Sequence, residues 1–147
     1  MKLYTIGFTQ TTAEDFFDRL RANGVRTLVD IRLNPHGQLA GFAKQADLPF
    51  FLRELAGGCG YVHKPELAPT KDILKEYRGG ESEWDEYERR FEGLMDERGI
   101  PARLDRALFE AGACCLLCSE ATPEQCHRRL VAERLRAHWP EVEIIHL

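Results

Sequence analysis

The chain contains the stretch Ala113-Cys114-Cys115-Leu116-Leu117-Cys118-Ser119-Glu120-Ala121-Thr122-Pro123-Glu124-Gln125-Cys126-His127-Arg128-Arg129. Its first part is a short, continuous apolar run, the signature of a strand buried on both faces of a parallel sheet. Its second part carries helix-start signals. Thr122 is a natural N-cap and Pro123 suits the first helical position, which predicts a helix from Pro123 to about His138. A thiol therefore stands where a strand ends, and a second thiol falls in the first turns of the next helix. In an α/β sheet, ligands bind at that edge.

The same alternation extends outward. Lys2–Ile6 reads as a first strand. Thr11-Thr12-Ala13-Glu14 matches a capping box, and Phe16, Phe17 and Leu20 give the next helix an apolar face until Asn23-Gly24 stops it. Arg26–Ile31 reads as a buried strand. A long aperiodic segment follows, Arg32–Asp47, with a turn signal at Asn34-Pro35-His36-Gly37. Loops of this length in compact domains often carry function. Beyond it come a helix at Leu48–Ala56, a strand at Tyr61–His63, a Pro-containing loop at Lys64–Thr70 and a helix at Asp72–Arg78. Trp84, Tyr87, Phe91 and Leu94 mark a helix over Trp84–Arg98, and they read as core rather than as a stacking platform. A helical piece at Arg103–Ala111 leads into the Cys114–Cys118 strand, and Val142–Ile145 is the last strand. Strands separated by helices predict one α/β domain over residues 1–147. It is a three-layer sandwich with a mainly parallel sheet, Rossmann-like or flavodoxin-like.

The 147 residues carry a net charge of −4, so no global field draws the chain to nucleic acid. No apolar stretch approaches the length of a membrane span, and Met1–Phe8 does not read as a secretion signal. The expectation is a cytoplasmic protein without membrane contact. The five cysteines are then expected as reduced thiols. Cys114 and Cys115 read as small hydrophobes inside a strand, and Cys59 as an incidental residue in the turn Gly57-Gly58-Cys59-Gly60.

Candidate chemistry gathers at the strand ends. Cys118 and Cys126 are the possible nucleophilic or redox thiols. Cys126 is expected to titrate below about 8.5, because a helix start and cationic neighbours favour thiolate. Burial beside Leu130 and Val131 would act in the opposite direction. Glu120 and Asp30 are candidate acid–base groups, and His63 and His127 could serve equally. Arg32 and Arg128 could hold phosphate or carboxylate, with Gly7 and Thr9 beside them at the first strand's end. Alternatively, Arg32 pairs with Asp30. Arg129 is expected to pair with Glu133, four residues on. Zinc is not expected: there is no C-x-x-C pair, and adjacent Cys-His is unusual spacing for a structural site. No phosphate loop or dinucleotide pattern appears, and the residues leave the cofactor unknown.

In this order, the residues resemble the DUF488 family of bacterial and archaeal proteins. The resemblance rests on Thr5-Ile6-Gly7-Phe8-Thr9, Val29-Asp30-Ile31-Arg32, Pro35, Gly41-Phe42, Tyr61-Val62-His63, Pro65-Glu66-Leu67, Leu117-Cys118-Ser119-Glu120, Cys126-His127-Arg128 and Ile145-His146. Phe8 stands where many members look to have His, and Ala68 where many have Gly. The resemblance implies an α/β fold with a site at the strand edge and supplies no reaction. Three functions remain open. One is an enzyme acting on a small anionic ligand such as a nucleotide or phosphorylated metabolite. The others are a nucleic-acid-associated module, disfavoured by the acidic balance, and a non-catalytic protein-interaction domain. The oligomeric state is not legible.

Overall fold

The computed structural model describes residues 1–36 and 40–147. Gly37, the last residue of the expected Asn34–Gly37 turn, lies outside the described residues. The five strands are β1 (Lys2–Gly7), β2 (Thr27–Asp30), β3 (Gly60–His63), β4 (Cys114–Cys118) and β5 (Glu143–His146). The helices are α1 (Ala13–Ala22), α2 (Leu48–Leu55), α3 (Lys71–Arg78), α4 (Trp84–Arg98), α5 (Arg106–Glu110) and α6 (His127–His138). Every strand pairing is parallel, and the order across the sheet is β3-β2-β4-β1-β5. The Cys114–Cys118 strand is thus the centre of the sheet, and all five of its residues are buried.

Period-two alternation divides this strand between two cores. Cys115 and Leu117 pack with Tyr4, Ile6 and Leu28 against Phe16, Phe17 and Leu20 of α1 and Leu48 and Leu52 of α2. Cys114 and Leu116 pack with Leu3, Val29 and Ile31 against Tyr87, Phe91 and Met95 of α4 and Leu130, Val131 and Leu135 of α6. The result is a three-layer α/β sandwich. The aromatic residues at helical spacing on α4 serve the core as expected. Tyr87 and Phe91 stack with centroids 6.2 Å apart.

The winding of the chain locates a crevice. Connections leaving β1 and β2 run toward the β3 edge, whereas those leaving β3 and β4 run toward the β5 edge. They diverge between β2 and β4, at the carboxyl ends of those two strands. This is the switch point at which open α/β sheets bind ligands.

The helix starts differ from expectation in places: α3 begins at Lys71 and α5 at Arg106, and two further starts bear on the site or its flank. The N-cap of α1 is Thr12, whose hydroxyl accepts from Asp15 N at 3.1 Å; the capping box at Thr11 is shifted by one residue. More consequentially, α6 begins at His127 rather than Pro123, with Cys126 at the N-cap position. Residues 119–126 form a loop instead. A good N-cap is worth only about 1 kcal/mol, and the loop makes several tertiary bonds in its place. Thr9 donates to Ser119 O, through its N–H at 3.1 Å and through its hydroxyl. Arg128 holds Glu120 O at 2.6 Å, and Arg129 Nε holds Glu124 O at 3.0 Å.

Among the described residues the five cysteines are free and buried. Burial pushes the thiols of Cys59 and Cys114 up to about 11, and that of Cys115 well above its usual range. A raised acid stabilises the fold only while it stays protonated. That contribution is complete below the unfolded thiol value of about 8.5 and is lost as pH rises through the folded values. Denaturant unfolding should therefore show stability falling between about pH 8.5 and 11. Cys59→Ser and Cys114→Ala should each flatten that fall. A stability that is constant or rising over this window would contradict the assignment.

Candidate functional site

Alternation along the strands decides what faces the switch point. Cys118 shares the parity of Cys114 and Leu116, so it leaves β4 on the α4/α6 face. Asp30 lies in register with Leu117, on the opposite face. The crevice at the ends of β2 and β4 is a cavity of about 160 Å³. Its inner wall is Phe8, Arg32, Cys118, Cys126 and His127; Ser119, Glu120 and Gln125 of the loop close one side, and Tyr77, Arg78 and Tyr87 of α3 and α4 close the other.

The innermost groups form one hydrogen-bonded cluster. His127 Nε2 lies 2.7 Å from Ile31 O. A carbonyl only accepts, so Nε2 carries the proton and Nδ1 turns toward the sulfurs. Nδ1 is 3.3 Å from Cys118 Sγ. Cys118, Cys126 and His127 place their ligating atoms within 4.8 Å of one another, and all three residues are buried.

Behind them lies Arg128, with no exposed surface. Its Nη1 donates to Glu120 O at 2.6 Å and to Cys126 Sγ at 3.6 Å. Its Nε donates to Thr5 Oγ1 at 3.3 Å, and the Thr5 hydroxyl lies 2.6 Å from His146 Nδ1. Because Thr5 accepts from Arg128, its own proton goes to His146. Burial and the Arg128 charge hold His146 below its ordinary value, which suits that accepting role. Among the described residues, Nη2 of Arg128 is buried without a hydrogen-bond partner, and no carboxylate lies within ion-pair distance. Arginine does not lose its proton in proteins. The guanidinium is therefore a buried cation whose balancing charge comes from elsewhere.

The thiols divide accordingly. Burial pushes Cys118 up, but the hydrogen bond from Cys126, the charge of Arg128 and the N–H groups of Glu120 and Ser119 outweigh it, and Cys118 titrates below its usual value. Cys126 moves the other way. Burial raises it far, and its bond to Cys118 and that thiolate's charge raise it further. The expectation of a low-titrating Cys126 is thus corrected. Of the two thiols Cys118 is the one shifted toward ionisation and Cys126, buried at 2% exposure, the one shifted away from it.

The remaining candidates fall into place around this cluster. Asp30 and Arg32 form a two-pronged ion pair, Nε–Oδ1 2.9 Å and Nη2–Oδ2 2.8 Å, with a third bond from Arg32 N to Oδ1. Tyr61 also donates to Oδ2, at 2.6 Å. Asp30 is thus fully buried and lies behind the cavity, orienting Arg32. Arg32 itself lines the cavity, its guanidinium 5.2 Å from the Phe8 ring centroid. His63 does not reach the cavity; its Nε2 donates to Arg32 O at 2.8 Å. Glu120 lines the rim with an exposed side chain. Arg129 faces away and pairs with Glu133 at 3.2 Å, as expected.

Tyr61, Tyr77, Arg78 and Tyr87 were not legible as site residues. Tyr87 reads as core because it is core on one edge. Tyr77 and Arg78 reach the cavity only through the packing of α3 on α4. Alternation on β3 was the one available signal for Tyr61.

Gly7 has a steric role. A Cβ there would lie 1.7 Å from Glu120 O and 2.9 Å from Arg128 Nη1. The loop carbonyl that receives the guanidinium can approach β1 only because residue 7 lacks a side chain. Gly7→Ala should therefore destabilise the fold by about 1–3 kcal/mol or more in denaturant titrations, as overpacking does. It should also slow alkylation of Cys118 at neutral pH. Wild-type stability together with wild-type alkylation would refute this role.

No curated protein and no solved structure matches the chain. A family model, "Domain of unknown function DUF488", matches residues 12–135. That span includes β2, β3, β4, the loop and most of α6. It takes in Asp30, Arg32, Cys118, Cys126, His127 and Arg128, so the chain, with its buried thiol and arginine cluster, belongs to the DUF488 family.

Proposed function

We propose that this protein is a thiol-dependent enzyme acting on a small anionic ligand, with Cys118 as the nucleophile. The observation that carries this reading is Arg128, a fully buried guanidinium with no carboxylate partner among the described residues, next to a thiol that lines a cavity. A buried charge without a counter-charge is costly. A Cys118 thiolate supplies that counter-charge in the resting site. Thiolate is also the reactive form of cysteine.

The roles follow from position. Cys118 attacks an electrophilic atom of the ligand. His127, held by Ile31 O through Nε2–H, presents Nδ1 as the acid–base group. Cys126 and the N–H groups of Ser119 and Glu120 hold the thiolate. Arg32, fixed by Asp30 and Tyr61, and Arg78 at the rim make the cavity attractive to an anion. The ligand is small, since about 160 Å³ is available. The acidic net charge of −4 gives nucleic acid no comparable support.

Alkylation tests both halves of this reading. The rate of Cys118 modification should rise with a pH midpoint below the ordinary thiol value of about 8.5, and Cys118→Ser should abolish it. Arg128→Met should move the midpoint upward. If that variant does not fold, Arg128→Lys should move it less. Relative to free cysteine, iodoacetate should gain on iodoacetamide, because Arg32 and Arg78 attract the carboxylate. A midpoint at or above about 8.5 would overturn the nucleophile. An equal response to the two reagents would overturn the anionic ligand.

A further inference from the structure

We propose that Cys118 and Cys126 act together as a redox dithiol that reduces small hydroperoxides, passing through a Cys118–Cys126 disulfide. The proposal rests on the reading of Cys118 as a thiolate and adds a function for Cys126. Cys126 also lines the cavity, and its sulfur lies within 4.8 Å of that of Cys118. Beyond holding the thiolate, a second thiol at that distance can also resolve an oxidised Cys118. A dithiol reductant needs one.

The chemistry balances with a hydroperoxide as oxidant. The Cys118 thiolate attacks one peroxide oxygen; an S–O bond forms, the O–O bond breaks, and the leaving alkoxide takes a proton from solvent to become an alcohol. Cys118 is now a sulfenic acid. The Cys126 sulfur then attacks the Cys118 sulfur; the S–S bond forms, the S–O bond breaks, and the departing hydroxide leaves as water with the proton of Cys126. His127 Nδ1, within 4.8 Å of both sulfurs, is placed to carry that proton. Two electrons pass from the two thiols to the peroxide. A dithiol reductant, itself oxidised to a disulfide, returns the site to its starting state.

Arg128 keeps such a disulfide labile. Closing the sulfurs to about 2 Å removes the thiolate charge and leaves the guanidinium buried without a counter-anion. The reduced form is therefore favoured, and a site whose reduced form is stabilised is an oxidising, easily reduced disulfide rather than a structural one. The cavity also fits the substrate class. It admits a hydroperoxide to Cys118, itself 5% exposed, whereas Cys59, Cys114 and Cys115 lie elsewhere in the core.

The test is titration of the fully reduced protein with hydrogen peroxide. Wild type should lose two thiols per equivalent of peroxide, gain a mass lower by two hydrogens, and give a peptide map linking Cys118 to Cys126. Oxidation at neutral pH should run at least about tenfold faster than for free cysteine, of which only a few per cent is thiolate. Cys126→Ser should stop at a sulfenic acid on Cys118, captured by dimedone, and Cys118→Ser should lose neither thiol. The proposal is overturned if wild type keeps both thiols while free cysteine is consumed, or if the mapped disulfide joins any other pair. The peptide map requires no variant, so a misfolded substitution does not decide the matter. Fast alkylation of Cys118 without a peroxide reaction would overturn the dithiol alone, whereas slow alkylation would remove both readings.

Discussion

Arg128 holds a full positive charge at zero exposure, and much of the surrounding structure is arranged around that fact. Desolvating a guanidinium costs several kcal/mol unless its donors and its charge are both met. Three of the contacts that meet it are local to the site. The Glu120 carbonyl comes from a loop, the Thr5 hydroxyl from β1, and the Cys126 sulfur from the residue that opens α6. Each of these in turn demands something. The carbonyl needs a bare Gly7, the hydroxyl needs a neutral His146, and the sulfur needs the helix to start late. The charge itself meets no carboxylate among the described residues; the thiol in contact with it is Cys126, 3.6 Å from Nη1, and its field also lowers the titration of Cys118.

The sheet makes this arrangement possible by separating two charged systems that the chain brings to one edge. Asp30 and Cys118 end neighbouring strands, yet the register puts them on opposite faces. Asp30 is thereby kept away from Arg128 and spent on Arg32, through a two-pronged ion pair completed by Tyr61. One residue of alternation thus separates the buried Asp30–Arg32 ion pair from the cavity-lining sulfur of Cys118.

The five cysteines illustrate how environment, not residue type, sets reactivity. Cys59, Cys114 and Cys115 are buried among apolar groups and are held protonated. Cys118 is equally buried but faces a cation, a thiol donor and two backbone N–H groups, and it moves the opposite way. Cys126, two residues before Arg128 in sequence where Cys118 is ten, is nonetheless raised, first by burial and then by its pairing with Cys118.

The sequence by itself determined the sheet. Continuous apolar runs at Leu3–Ile6, Leu28–Ile31 and Cys114–Cys118, separated by amphipathic helices, leave little choice but a parallel α/β sandwich, since such strands need cover on both faces. It also brought Cys118, Glu120, Arg32 and His127 to one edge, because the carboxyl ends of parallel strands share a side. Tertiary structure alone decided the rest. It fixed the strand order and with it the open crevice between β2 and β4. It overrode the local signals at Thr122 and Pro123, because one N-cap is weaker than a buried guanidinium drawing Glu120 O, Thr5 and Cys126 around itself. It decided which thiol is shifted toward ionisation. Local sequence favoured Cys126 through its neighbours Arg128 and His127. The direction of a proton between two sulfurs depends instead on which one is surrounded by donors, and those donors come from residues 118–126 folded back on themselves, a relation that no linear spacing encodes.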